Sequence, residues 1–247
     1  MQATLVQLCG MLAVELEGRR CEVELPGRQG RLLFIYLVLN RARPIARREL
    51  LDVLWRGELP HTAETTLTGV LSRLRSVVGE DVLQGREQLR FVLPADAWID
   101  VEVALRAIHE AEAAIISGDW PQAWISGRVA LHVSRREFAA GYDGPWIEER
   151  RQSLGALQAS ALECVGEAGL GLGGTEIASA ERCGRTLVAL EPYRESGYRL
   201  LMRALEARGN AADALAVYDQ LRRLLRDELG AAPCAATQDL HKELLAI

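Results

Sequence analysis

The chain has 247 residues, of which 49% are apolar and 26% charged, so it can bury the core of one large or two ordinary domains. No apolar run approaches the roughly 20 residues that span a bilayer, and the amino terminus lacks the basic region and cleavage site of a signal peptide, so we expect a cytoplasmic protein without a membrane partner. Five cysteines and four histidines are scattered without metal-ligand spacing, which predicts no disulfide framework, no metal site and no cofactor.

The net charge of −5 is distributed unevenly along the chain. Residues 1–95 hold 13 arginines and 11 acidic residues, a net charge of +2, whereas residues 96–247 carry −7. This asymmetry has the sign expected of an N-terminal DNA-binding domain followed by an acidic domain. It favours a nucleic-acid partner for the first part of the chain.

The first 25 residues alternate between apolar and polar side chains. Residues 3–9, 12–17 and 21–25 therefore predict strands of a small antiparallel sheet with one wet face, with a turn at residues 18–20.

Three helices and a hairpin are predicted next. Residues 31–39 are almost continuously apolar, as in a buried helix, and residues 47–55 have the pattern of a short second helix. The third helix is expected to begin near Thr62 and to end at Gly79, and residues 81–93 predict a hairpin. The order of sheet, three helices and hairpin predicts a winged helix-turn-helix with an extra N-terminal sheet, which presents its third helix to the major groove and its hairpin to the minor groove.

One face of the third helix is small, polar and positive, and it lies opposite the apolar stripe. Arginine can make two bonds to guanine, hydroxyls can bind phosphates or base edges, and glycine lets the backbone approach closely. A solvated face on a core helix is the alternative, but its position before a basic-tipped hairpin favours DNA. The candidate DNA-binding residues are Thr65, Thr66, Thr68, Gly69, Ser72, Arg73 and Arg75 on the helix, and Arg86 and Arg90 on the hairpin.

From Trp98 onward the sequence predicts helices alone, so the fold class is mainly α with a small β component. Ala180 and Pro192 stand 12 residues apart, and Ala214 follows Ala180 by 34. These are the spacings of a tetratricopeptide repeat, in which a small residue lets paired helices approach and a proline ends the second one. An all-α, tetratricopeptide-like repeat domain is predicted.

The glycines at positions 169, 171 and 174 match a dinucleotide-binding pattern by letters. That mechanism needs a strand before the glycines and a helix after them, whereas a helix over residues 154–168 is predicted to precede them. A turn between helices is the favoured interpretation. No catalytic motif is found, so we expect no catalytic residues and no enzyme.

Six stretches resemble the antibiotic-regulatory (SARP-type) activators of actinobacteria. Residues 31–40, 49–55 and 66–75 look like their winged-helix DNA-binding domain, and residues 190–202, 209–218 and 224–230 look like their bacterial transcriptional activation domain. The resemblance implies a DNA-binding domain at 1–95 and an activation domain at 96–247. It also implies two partners: double-stranded DNA, bound as short direct repeats near a promoter, and RNA polymerase.

The resemblance also implies roles for individual residues. In related winged helices the position of Arg73 meets bases, and those of Thr66 and Arg75 meet phosphates. The wing of the family usually ends Gly-Tyr-Arg-Phe, where residues 88–91 read Gln-Leu-Arg-Phe, so Arg90 is the expected minor-groove arginine. Ser76 stands where the family often has arginine, which implies weaker phosphate binding.

Two other functions stay open from the sequence. The repeats could bind a partner protein while the winged helix reads no DNA, which would make the chain an interaction scaffold. The repeat domain could also receive a small effector, although no residues identify one. A homodimer is likewise left open.

Overall fold

A computed structural model describes residues 4–55, 57 and 59–246. The chain divides into two compact units. The first comprises the residues up to Glu102 together with Arg136–Arg151, and the second comprises Val103–Arg135 and the chain from Gln152 onward. The predicted domain division between residues 95 and 96 stays a prediction. It did not anticipate that Arg136–Arg151 belong to the first unit.

The returning segment is attached to the first unit through backbone and side-chain bonds. The amide of Gly10 donates to the carbonyl of Glu137 at 2.7 Å, and Cys9 forms an antiparallel bridge with Phe138. Arg136 donates to the side-chain oxygen of Gln7 at 3.1 Å. These contacts join residues more than a hundred positions apart, so no local pattern predicts them.

The first unit combines short strands with three helices that are followed by a hairpin. In chain order its elements are β1 (Leu5–Gln7), β2 (Ala13–Leu16), β3 (Arg19–Arg20), α1 (Gly27–Leu39), β4 (Ile45–Ala46), α2 (Arg47–Trp55), α3 (Ala63–Val78), β5 (Leu83–Gln84), β6 (Gln88–Phe91) and β7 (Trp98–Ile99).

The N-terminal sheet has the strand order β3-β2-β1-β7. Glu17 and Gly18 have φ of 51° and 78°, and two successive positive values are those of the tight hairpin turn that matches strand twist. The turn predicted at residues 18–20 is therefore wrong by about one residue, because Arg19 and Arg20 already pair with β2. The strand predicted at 21–25 is also wrong: its centre is a turn, and the side chain of Val23 is 81% exposed.

Strand β7 contradicts the expectation that only helices follow Trp98. It pairs in parallel with β1, with Val6 opposite Ile99. Two residues are too few for a visible alternation, so the sequence carried no signal. Immediately after β7, the buried carboxylate of Asp100 accepts bonds from the amides of Leu8 (3.0 Å) and Cys9 (2.9 Å), which fixes the end of β1.

The three helices and the second sheet form the predicted winged helix-turn-helix. Helix α2 has the predicted bounds, and α1 begins four residues earlier than the predicted residue 31. The hairpin β5–β6 gains β4 as a third strand, in the order β4-β6-β5. Phe34 of α1 meets Phe91 of β6 edge to face, with ring centres 5.6 Å apart, so the sheet is packed on the helical core.

The chain after β7 is helical, as the fold class predicted. Its helices are α4 (Asp100–Ser117), α5 (Trp120–Ser134), α6 (Pro145–Leu172), α7 (Ile177–Leu190), α8 (Glu195–Ala207), α9 (Ala211–Leu229) and α10 (Ala235–Leu245).

The small residues of the predicted repeat are buried among the helices. Ala180 and Ala214 are both fully buried. A Cβ added to Gly169 of α6 would lie 3.4 Å from the Cβ of Ala180 on α7, so these helices approach without room for larger side chains. Pro192 follows the end of α7. The tetratricopeptide-like packing is confirmed.

The glycine-rich stretch at 169–174 lies mostly inside a helix. Helix α6 continues to Leu172, so the predicted helix end at residue 168 is four residues too early. A Cβ on Gly171 would fall 2.3 Å from the ring of Trp120, so that position requires glycine for close packing. The helix break itself is at Gly173 and Gly174, whose φ values are 71° and 55°.

Among the helices of the described residues, none combines the length and the apolar character of a membrane-spanning segment.

Candidate DNA-binding surface

Helix α3 is held by one apolar stripe, which leaves the opposite face outward. Its buried residues recur at helical spacing and pack into the core of the first unit, so burial fixes the rotation of the helix about its axis. Gly79 ends the helix with φ of 99°. The buried residues are Ala63, Leu67, Val70, Leu71, Leu74 and Val78.

The centre of the outward face carries several of the predicted contact residues. Thr65, Ser72 and Arg73 are exposed, and Gly69 is half-buried between them. A Cβ on Gly69 would meet no atom within 4 Å, so packing does not require glycine there. The Nε of Arg73 donates to the carbonyl of Gly69 at 3.2 Å, and the terminal guanidinium nitrogens have no partner among the described residues.

One edge of this face is occupied by an arginine that sequence reasoning missed. The side chain of Arg47, at the start of α2, donates to the hydroxyl of Thr68 at 2.5 Å and to the carboxylate of Glu64 at 2.8 Å. Thr68 also donates to the carbonyl of Glu64 at 2.7 Å. The predicted contact residue Thr68 is therefore engaged within the protein. Because 21 positions separate Arg47 and Thr68, local periodicity could not reveal the contact.

The other edge of the face is connected to the wing. The Nε of Arg75 donates to the carbonyl of Leu83 at 3.1 Å, and a second guanidinium nitrogen donates to the carbonyl of Gly85. Arg75 is half-buried. Arg75, which the sequence predicted to contact a phosphate, therefore bonds the backbone of β5 and of the turn that follows it. The remaining flank residue, Thr66, is half-buried.

The wing presents the other two predicted residues. Arg86, in the turn, and Arg90, on β6, are exposed and have no partner in the described part of the chain. Gly85 shapes the turn, because its φ is 82° and an added Cβ would fall 2.0 Å from the carbonyl oxygen of Gln88. The amide of Arg47 donates to the carbonyl of Glu87 at 3.0 Å, so α2 and α3 both anchor this hairpin.

The arrangement suits an anionic, grooved ligand. Three arginines offer free guanidinium nitrogens: Arg73 on the helix, and Arg86 and Arg90 on the wing. The nearest acid on α3, Glu64, is ion-paired with Arg47. The surface can therefore neutralise phosphates and also reach base edges.

Within the described residues, no group of three histidine, cysteine or acidic side chains could hold a metal ion. Burial raises the pKa of Cys9 and Cys164 to about 12 and that of Cys183 to about 11, which keeps these thiols protonated and weakly nucleophilic at neutral pH.

The chain is similar to several bacterial regulators. It matches the bacterial transcriptional activator domain family over residues 99–245. It is 36% identical over 220 residues to the regulatory protein AfsR of Streptomyces coelicolor, covering 88% of this chain but 22% of AfsR. It is 30% identical to the transcriptional regulator RedD of the same species, covering 87% of this chain and 63% of RedD.

A solved structure shares the fold. Mycobacterium tuberculosis EmbR, in a complex with a low-affinity phosphopeptide, superposes with a TM-score of 0.86 over 100% of this chain and 66% of that chain, at 22% identity.

Proposed function

The chain belongs to the bacterial transcriptional activator domain family, and on that premise we propose that it regulates transcription by binding double-stranded DNA through α3 and the β5–β6 hairpin. Its relatives AfsR and RedD are regulators, which confirms the resemblance to the SARP-type activators. Sequence-specific binding by this chain and its contact residues are the proposal.

The observation that carries the proposal is the outward face of α3. An ordinary solvated helix face mixes both signs of charge. Here Arg73 has free terminal nitrogens at the centre, Gly69 leaves an open gap beside it, and the one acid of the helix is ion-paired at the edge. A surface of this kind can approach a phosphate backbone without repulsion.

In this mechanism α3 enters the major groove and the wing lies along the adjacent minor groove. Arg73 contacts base edges, with Thr65, Thr66 and Ser72 at phosphates or bases around it. Arg90 enters the minor groove, and Arg86 neutralises a phosphate at the tip. Thr68 and Arg75 bond other parts of the protein: Thr68 accepts from Arg47, and Arg75 donates to the backbone of the wing.

The regulator is proposed to be an activator. By its family it would bind short direct repeats near promoters, and the helical domain would contact RNA polymerase at an adjacent surface. Two copies on neighbouring repeats satisfy this arrangement with or without a homodimer in solution.

The test introduces one negative charge at the centre of the surface. Ser72→Asp places a carboxylate where phosphates would run, and Ser117→Asp makes the same change at an exposed serine of α4, in the second unit. Fluorescence anisotropy with promoter DNA at two salt concentrations should show affinity lost by about tenfold or more in Ser72→Asp alone, because phosphate contacts dominate affinity. Equal affinity of the two variants would refute the proposed surface.

The interaction scaffold is the second candidate, and one groove supports it. A groove of about 390 Å³ in the second unit is lined by Trp124, Leu131 and Cys183, with the guanidinium of Arg128 over the Trp124 ring at 5.7 Å. Apolar walls beside a cation fit a peptide with an acidic residue. If wild-type protein bound no promoter DNA in low salt, this function would replace the leading one.

A further inference from the structure

A second basic site lies in the first unit, and its lining includes no residue of α3 or the wing. It is a groove of about 530 Å³ that includes none of the candidate DNA-binding residues, a volume within the range of small-molecule pockets. Three arginines line it: Arg20 on β3, and Arg28 and Arg31 on the first turns of α1. Glu22 is the acid in its lining.

The charges of the groove do not balance. Glu22 pairs with Arg20 at 2.5 Å, which leaves Arg28 and Arg31 without a carboxylate partner among the described residues. The guanidinium of Arg28 lies 4.7 Å from the centre of the Tyr142 ring, an orientation that holds the cation at the groove wall. Two positive charges therefore face a shared space.

Arg31 is the least compensated of these groups. Its Nε is buried and has no hydrogen-bond partner in the described chain, and an unpaired buried donor is costly. Arg28 and Arg31 are three positions apart on a helix, where like charges repel. The first turn of α1 also lacks an acidic residue, and cations at a helix N-terminus oppose its dipole.

A single ligand would remove two of these unfavourable features. An oxyanion between Arg28 and Arg31 would accept from their terminal guanidinium nitrogens, screen the repulsion, and lie near the positive end of α1. Two large apolar side chains of the lining are open to solvent: Met11 is 85% exposed and Val23 is 81% exposed. Covering such side chains with an apolar group lowers the free energy of the complex.

We propose that this groove binds a small molecule that combines an oxyanion, either phosphate or carboxylate, with an apolar group. Arg28 and Arg31 hold the oxyanion, and Met11 and Val23 cover the apolar part. The site would place an effector on the first unit, independently of whether α3 binds DNA.

Calorimetric titration of the full chain tests the proposal with four probes: 1-naphthyl phosphate, 1-naphthoate, uncharged 1-naphthol and inorganic phosphate. We expect 1-naphthyl phosphate or 1-naphthoate to bind more tightly than either 1-naphthol or inorganic phosphate, and the stronger of the two identifies the anion. The proposal is overturned if neither anionic probe binds or if 1-naphthol binds as tightly.

Variants assign the binding to the arginines. Arg31→Gln should lower the affinity for the anionic probe by about tenfold, the factor for one charge-assisted bond. Arg106→Gln, at an exposed arginine of α4, should leave that affinity unchanged. Arg31→Lys keeps the charge but loses the two-pronged guanidinium end, so a weakened affinity with an unchanged melting temperature separates the contact from misfolding. Undiminished binding by both Arg31 variants refutes the site. Displacement of the probe by double-stranded DNA also refutes it, because the groove would then belong to a nucleic-acid surface.

Discussion

Arg75 donates to the carbonyl of Leu83 at 3.1 Å, so the last turns of α3 are bonded to the first strand of the wing. Two elements proposed to enter adjacent grooves of DNA are thereby held at one relative position. Pre-organisation of this kind lowers the entropy lost on binding. It also gives Arg75 a role inside the protein that competes with the phosphate contact expected from the sequence.

The first prediction separates those two roles of Arg75. Arg75→Ala should lower the free energy of unfolding by about 1–3 kcal/mol, because carbonyls of the wing lose a charged donor. Amide hydrogen exchange in β5 and β6 should accelerate, and Arg75→Lys, which keeps the charge but replaces two separate guanidinium donors by one ammonium nitrogen, should fall between. An unchanged melting curve, with a salt slope of DNA binding reduced by about one, would instead establish the phosphate contact.

The second prediction concerns the wing turn. Gly85→Ala places a Cβ 2.0 Å from the carbonyl oxygen of Gln88 at a φ of 82°, so the turn must open. Gly79→Ala is the matched control, because its φ is 99° and nothing lies within 4 Å of its Cβ. Gly85→Ala should lower both the melting temperature and the DNA affinity more than Gly79→Ala. Equal losses would mean that backbone strain alone acts and that wing shape is unimportant.

The third prediction asks why glycine stands in the middle of α3. Gly69→Ala has free space and should raise stability by about 0.5–1 kcal/mol. Gly155→Ala, also in a helix with free space around its Cβ, should raise stability similarly. If the backbone of α3 approaches DNA closely, affinity falls in Gly69→Ala alone. Wild-type affinity in both variants would leave Gly69 with no part in binding.

Strong local periodicity explains what the sequence could predict. Helix α2 and the buried stripe of α3 were predicted because their apolar residues recur at helical spacing over two or more turns. The two-residue strands β4 and β7 were missed because they are stabilised by bonds to distant strands, such as Ile45 opposite Leu89. A pattern two residues long carries no period.

The sequence predicted which side of α3 faces outward, but not the bonds that the candidate residues make within the protein. The outward positions of Thr65, Ser72 and Arg73 follow directly from the rotation of the helix. The partners of Thr68 and Arg75 do not, since Arg47 belongs to another helix and Leu83 to the wing. Side chains on the flank of a helix meet neighbouring elements, and their partners depend on tertiary packing that periodicity does not encode.

The last prediction identifies the residue that reads DNA sequence. Arg73 is exposed at the middle of α3, and its terminal nitrogens are free to bond a base. Arg73→Ala should weaken the binding free energy by about 1–3 kcal/mol on the promoter site and by little on scrambled DNA. Base contacts distinguish one DNA sequence from another, whereas phosphate contacts do not. Arg90→Ala should reduce affinity most where the minor groove is narrow and A·T-rich.

Arg106→Ala, an exposed arginine of α4, is the control for the loss of one positive charge. The three variants are titrated against promoter and scrambled DNA at two salt concentrations, with melting curves to confirm folding. The ratio of the two affinities should fall in Arg73→Ala and stay constant in Arg106→Ala. If the ratio is intact in Arg73→Ala, α3 is not the reading helix. The scaffold function, with its groove around Trp124, then becomes the better account of the chain.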